Sequence, residues 1–344
     1  MVRCLLLASV VISVTAGSGV AQPASSAWHV PRTLDGHPDL QGVWVNNSVT
    51  PMTRPTQWKD KTELTEQELA ELQRLVAEHL DQGADAVFAD QFIQRALELH
   101  STGKYNQKSY DVGTGNYNNF WIAERDWDTR TSLITDPPDG QFPPLTAEGQ
   151  ARRKAGSQRR LVTAEGGPAG RADGPEDRSL SERCITRGVP YTQAAYNSYF
   201  QIVQSASTIV ILQETIHDAR LVPITDAASH LPASVRLWTG DSRGRWDGDT
   251  FVVETTNFRE GFQGSTPNVK LTERFTRVSQ SYINWAITVD DPATWTRPWT
   301  FMIRLKHTDE QLYEYACHEG NSSMTGILAG ARAEEAKTTS TKQK

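Results

Sequence analysis

The sequence predicts a mainly β protein, an antiparallel up-and-down barrel or strongly curved sheet carrying an N-terminal helical cap. Two observations predict it. From Tyr199 onward, short segments rich in β-branched and aromatic residues recur at even spacing, separated by turns such as Asp247-Gly248-Asp249 and Asp309-Glu310. Their connections are too short for crossover helices, so neighbouring strands run antiparallel. Candidate strands are 199–204, 208–215, 220–225, 235–238, 251–256, 270–278, 282–289, 300–307 and 311–317, with period-two alternation clearest in "LTERFTRV" and "YINWAITV". About nine strands within roughly 120 residues suit a sheet closed to remove its edges, and a two-sheet sandwich is the alternative.

The chain of 344 residues opens "MVRCLLLASVVISVTAGSGVAQ". Arg3 gives a basic start, Leu5 to Val14 an apolar stretch, and Gly19-Val20-Ala21 a small-residue cleavage site, which together predict a signal peptide over 1–21. The apolar stretch falls well short of the roughly 20 residues that cross a bilayer. Cys4 precedes it, which argues against a lipid anchor there. The expected location is periplasmic or secreted, with no membrane span. A net charge of −6 argues against a nucleic-acid partner.

After the signal, 22–147 reads as an N-terminal arm, helical cap and first strands. The Pro- and Gly-rich start, "WHVPRTLDGHPDLQGVWVNN", reads as an extended arm laid over the body and pinned by Trp28, Leu40, Val43 and Trp44. Thr65-Glu66-Gln67-Glu68 fits a capping box. Leu69, Leu72, Val76 and Leu80 then follow at helical spacing, with Gly83 as the expected stop. A second helix is expected from about Ala84, with Val87, Phe88, Phe92, Ala96 and Leu97 on its apolar side. "TSLITDPPDG" reads as short strands around a Pro137-Pro138-Asp139-Gly140 turn. Residues 148–180 form a polar linker whose basic cluster, Arg152 to Arg160, is a solvated helix or an anionic-surface patch. The antiparallel β domain occupies 181–330, and 331–344 has the composition of a disordered tail.

Nucleotide loops, zincin, thioredoxin-like and nucleophile-elbow motifs are absent, as is covalent haem attachment, so the expected chemistry uses no cofactor and no metal. "LYEYACHEGN" crowds Cys317, His318 and Glu319 together. Read as a strand, its parity puts Tyr313, Tyr315, Cys317 and Glu319 on one face and His318 on the other, which disfavours joint ligation. Once the signal is removed, Cys184 and Cys317 are the remaining cysteines. In an oxidising compartment they form a disulfide, with buried or reactive thiols as alternatives.

"ILQETIHDARLVPI" places Glu214, His217, Asp218 and Arg220 within an apolar strand pair. His217 suits a general base, oriented by Glu214 or Asp218, with Arg220 and Tyr315 stabilising developing charge. A plain charged hairpin is the alternative. "RLWTGDSRGRWDGD" reads either as a glycine-kinked hairpin with surface ion pairs or as a ligand site in which arginines flank Trp238. Arg236, Trp238, Tyr199, Tyr313 and Glu319 are the candidate substrate-binding residues. "GPEDRSLSERCITRG" carries Arg178, Glu182, Arg183 and Arg187, an ion-pair lattice fixing linker to barrel. Tyr117 to Phe120 and Tyr196 to Phe200 are polar-aromatic clusters that suit a pocket lining or packed turns.

"DGHPDLQGVW", "TSLITDPPDG", "GPEDRSLSERC", "GDSRGRWDGDTFVVETTNF", "DPATWTRPW" and "YEYACHEGN" resemble strings of a large family of exported bacterial proteins. The resemblance runs over nearly the whole chain after the signal. It implies export and one shared architecture, and carries no catalytic residues. The expected function is a small-molecule enzyme, a lyase, isomerase or hydrolase, whose barrel encloses a cyclic or aromatic substrate. A non-catalytic carrier and an envelope-associated interaction protein are the alternatives. Titratable groups converging in a cavity favour the enzyme, an apolar cavity the carrier, and a filled interior the interaction protein.

Overall fold

Alternating apolar residues build one antiparallel sheet of ten strands. The structure, a computed structural model, describes residues 28–80, 90–102, 124–164, 172–192, 194, 197–225, 230–262 and 264–342. The predicted signal peptide, the start of the second helix near Ala84 and the Tyr117 to Phe120 cluster lie outside them. The strands are β1 Gly42–Val45, β2 Ile134–Asp136, β3 Tyr199–Gln204, β4 Thr208–Gln213, β5 Ala219–Pro223, β6 Asp241–Asp247, β7 Thr250–Thr256, β8 Lys270–Arg277, β9 Tyr282–Asp290 and β10 Trp299–Thr308. Their order is β5-β4-β3-β1-β10-β9-β8-β7-β6, with β2 pairing β10 off that path.

The sheet is curved but not closed by a ladder. Among the described residues its edge strands β5 and β6 meet at one bridge, Ile224–Gly244, where the Thr225 amide donates to the Gly244 carbonyl at 2.9 Å. A Cβ on Gly244 would lie 2.3 Å from the Phe251 ring and 2.9 Å from Val222, so a glycine lets the two edges approach. Inner-face residues, among them Phe200, Ile211, Phe251, Phe275, Trp285 and Phe301, fill the interior. The cavity that remains there is about 20 Å³, room for one water. Among the described residues, that cavity leaves no room for a substrate inside the sheet, where the sequence predicts one. Stacked rings such as Phe275 and Trp285, 5.3 Å apart, occupy that space.

The N-terminal arm lies on the sheet, with His37 stacked on Trp246 at 4.7 Å and Arg32 paired with Asp249, and then joins it. Gly42–Val45 inserts as β1 between β3 and β10, pairing Trp44 with Phe200 and with His307. Two strands that would otherwise be edges are thereby joined. Helix α1, Glu66–Leu75, begins with the expected box: the Thr65 side chain accepts from the Glu68 amide and Glu68 returns the bond. A π-turn, Val76–Leu80, extends it, and α2 covers Asp90–Thr102. Leu72, Val76, Phe92, Ala96 and Leu97 form a second, smaller core. Helix α3, Ala147–Ala164, is pinned by Arg152, which donates to the Ala293 carbonyl and to Thr294 Oγ1.

Four readings change. Residues 235–238 form a loop, held to the chain just past β7 by the Leu237–Phe258 bridge. Residues 241–247, read as a hairpin kink, are strand β6. Residues 311–317 form no strand, so the parity assigned to them does not hold. Both flanks of β10 are already taken, by β1 and β9, which leaves this stretch no edge to pair with. The tail read as disordered instead continues α4, Ser322–Lys342.

Candidate functional site

The stretch after β10 is a strap across one end of the sheet, tied down at three points. Cys317 is disulfide-bonded to Cys184, with Cα atoms 5.7 Å apart. The His217 Nδ1–H donates to the Tyr315 carbonyl at 3.1 Å. Asn321 Nδ2 donates to the Glu182 carbonyl at 3.0 Å, and the nearby Tyr313 amide acts to lower the Glu214 carboxyl's pKa. Glu214, His217, Tyr313, Tyr315 and both cysteines therefore do converge, as main-chain and disulfide tethers. Tyr313 itself turns its side chain outward, 72% exposed.

Backbone strain concentrates at this end. Cys184, Asn197, Ile216 and His217 have φ of 56°, 46°, 61° and 43°, the left-handed region that costs a non-glycine residue about 1–3 kcal/mol. The strain turns the chain sharply after β4, so that Glu214 lies buried while His217 is exposed. Glu214 Oε2 is buried without a hydrogen-bond partner. Burial raises the carboxyl's pKa, against the Tyr199 amide, the Asn197 side chain and the Tyr313 amide, which lower it. Burial likewise raises Tyr191 and Tyr199, and Glu214 adds to both. Asp218 accepts from Thr186 Oγ1 at 2.5 Å, joining this turn to the segment that carries Cys184.

Arg220 lies elsewhere, inside the sheet. From edge strand β5 its Nε donates to Ser242 on β6, one terminal nitrogen to Thr255 on β7, and both to Glu273 on β8. Trp285 Nε1 donates to the same carboxylate at 3.1 Å. The guanidinium thus stitches the open seam from within, and its donors are committed to structure.

Beside the strap a cleft of about 560 Å³ opens to solvent. Residues 176–192 supply one lining, with Arg178, Arg183, Arg187 and Tyr191; Trp238, Phe258, Glu260 and Phe262 supply the other. Arg178 is buried and paired with Glu182 at 2.5 Å, which supports part of the expected lattice. Arg183 and Glu260 have no side-chain partner among the described residues. Arg259 stacks over Trp238 at 4.5 Å and stiffens it. Val189, Pro190 and Tyr191 line both this cleft and the small interior cavity, so they form the wall between them.

Of the residues expected to bind substrate, Trp238 lines the cleft. Tyr199 borders Glu214. Arg236 holds the Phe258 and Pro267 carbonyls and Asn268 Oδ1, a structural role. Glu319 is exposed in the turn after Cys317, apart from the others. Glu260 escaped the sequence reading because nothing in its own neighbourhood marks it; only the fold brings it to the cleft. Among the described residues no three His, Cys, Asp or Glu side chains gather as metal ligands would. No described helix is long and apolar enough to cross a membrane. Compared with known proteins, the chain matches no family model, no curated protein and no solved structure.

Proposed function

We propose that the protein is exported and binds a small organic anion with an aromatic or otherwise apolar body in the arginine-lined cleft. The signal-like N-terminus and the Cys184–Cys317 bridge support an oxidising destination. One observation carries the binding reading: Arg183, without a side-chain partner among the described residues, shares a solvent-open cleft of about 560 Å³ with Arg187 and Trp238. That volume lies within the range of small-molecule sites, about 300–1,000 Å³. Guanidinium groups take carboxylate or phosphate oxygens in pairs, and the rings receive the apolar part.

The test is calorimetric titration with 3-phenylpropionate and with its neutral amide. The carboxylate is expected to bind and the amide to bind at least about tenfold more weakly, a gap of about 1.4 kcal/mol. Arg183→Gln and Trp238→Ala should each weaken the carboxylate. Equal binding of acid and amide, or no effect of Arg183→Gln, rejects the reading.

A second reading adds acid–base catalysis on the cleft ligand, as a lyase, isomerase or hydrolase. It is favoured by the strained turn beside the cleft. Donation from His217 Nδ1 to the Tyr315 carbonyl leaves Nε2 as the basic nitrogen of the neutral ring. Glu214 holds a raised carboxyl with a bare Oε2 close by. His217→Ala or Glu214→Gln abolishing turnover of a bound ligand, with its affinity unchanged, supports catalysis. Retained turnover in both variants removes it.

A further inference from the structure

The cleft carries charge of both signs on its two linings. The 176–192 segment brings Glu176 and three arginines; Arg178 is paired with Glu182, and Arg187 also has an interaction of its own. On the facing lining the one charged residue is Glu260, set beside Trp238, Phe258 and Phe262. Arg183 and Glu260 would relieve each other if they met, yet no ion pair within 4.0 Å joins them. Arg183 and Glu260 thus line one solvent-open cleft as opposite charges, neither with a side-chain partner among the described residues. A purely anionic ligand would satisfy Arg183 and meet repulsion from Glu260. A ligand with a cation at its far end satisfies both.

We infer that the ligand is a short zwitterionic peptide or peptide-like molecule, its carboxylate on Arg183 and its ammonium on Glu260. Two extended residues set the terminal ammonium and carboxylate about 7 Å apart, so a dipeptide can reach two side chains that do not touch each other. The cleft's volume also leaves room for two apolar side chains over Trp238 and Phe262. This inference rests on the cleft being an anion site, and it adds the second charge.

The test uses the full oxidised protein and three probes: the dipeptide Phe-Phe, its N-acetyl form and its C-terminal amide. In calorimetry at low salt the zwitterion is expected to bind about tenfold or more tightly than either singly charged form. Glu260→Gln should bring the dipeptide down to the N-acetyl form, and Arg183→Gln should bring it down to the amide. If the N-acetyl form binds as tightly as the dipeptide, the cleft is a plain anion site and the inference falls while the proposed function stands. If none of the three binds but 3-phenylpropionate does, the peptide class is likewise excluded. If no carboxylate binds, both fall. Circular dichroism of each variant separates lost binding from lost folding.

Discussion

Arg220 and Glu273 form a buried ion pair that closes the open seam of the sheet. The guanidinium contacts both carboxylate oxygens, at 2.9 and 2.5 Å, with Glu273 fully buried and Arg220 8% exposed. Edge strands β5 and β6 lack a hydrogen-bonded ladder, and this pair, with Ser242 and Thr255, substitutes for one. Arg220→Met is expected to lose about 3–5 kcal/mol, because it strands the Glu273 charge in an apolar interior. Arg220→Met with Glu273→Leu should recover most of that loss. Urea midpoints decide it: a single variant as stable as the parent removes the seam role.

The strap makes the bridge worth more than its local contacts. Cys184 and Cys317 are 133 residues apart in sequence, and closing so long a loop restricts the unfolded chain by about 4–5 kcal/mol in the chain-entropy model. Cys317→Ala, or reduction of the parent, should therefore lower the melting temperature together with the affinity of the cleft, whose lining residues Arg183 and Thr186 flank Cys184 in the chain. Non-reducing peptide mapping that finds two free thiols would contradict the strap outright.

Glu214 gives stability a definite pH dependence. Its carboxyl is raised by burial above the ordinary value of 4.5. Above 4.5 and up to the raised value, the folded state keeps a proton that the unfolded chain has lost. The group's contribution is thus fully present below 4.5 and is lost as pH rises through the folded pKa. Asp126, raised from 3.8 chiefly by burial, acts in the same sense, so the comparison with Glu214→Gln isolates this residue. Urea midpoints measured from about pH 4 to 7 should fall more steeply in the parent than in the variant. Parallel curves would show that Glu214 is not the titrating group.

Gly244 marks where two strand edges touch. A methyl group there meets Phe251 at 2.3 Å, so Gly244→Ala is expected to cost about 1–3 kcal/mol through overpacking. Gly248, with open space around it but a φ of 58°, is strained by alanine through its backbone alone. A Gly244→Ala protein that melts with the parent would mean the seam is looser than the contacts imply.

Much of the sheet was legible because its signal is local. Alternation in β8 and β9 is written in consecutive residues, and the Thr65 box lies within four. What escaped depends on contacts distant in sequence. "SRGRWDGD" looked like a turn because its glycine weakens a strand, yet Gly244 is there to admit Val222. "LYEYACH" looked like a strand because its composition is right, but β10 had no free edge to offer. Arg220 looked catalytic because charge in an apolar strand is costly; its compensation, Glu273, stands 53 residues away. The cleft was legible only in part. Trp238, Arg183 and Arg187 drew notice, whereas Glu260 joins them through the fold alone.

The most direct measurement is a crystal structure of the protein with a bound aromatic carboxylate. The carboxylate should lie on Arg183 and Arg187 with its ring against Trp238, and the barrel interior around Arg220 should remain filled as it is here. Ligand density inside the sheet, or at the strap with the cleft empty, would contradict the assignment of the cleft as the binding site.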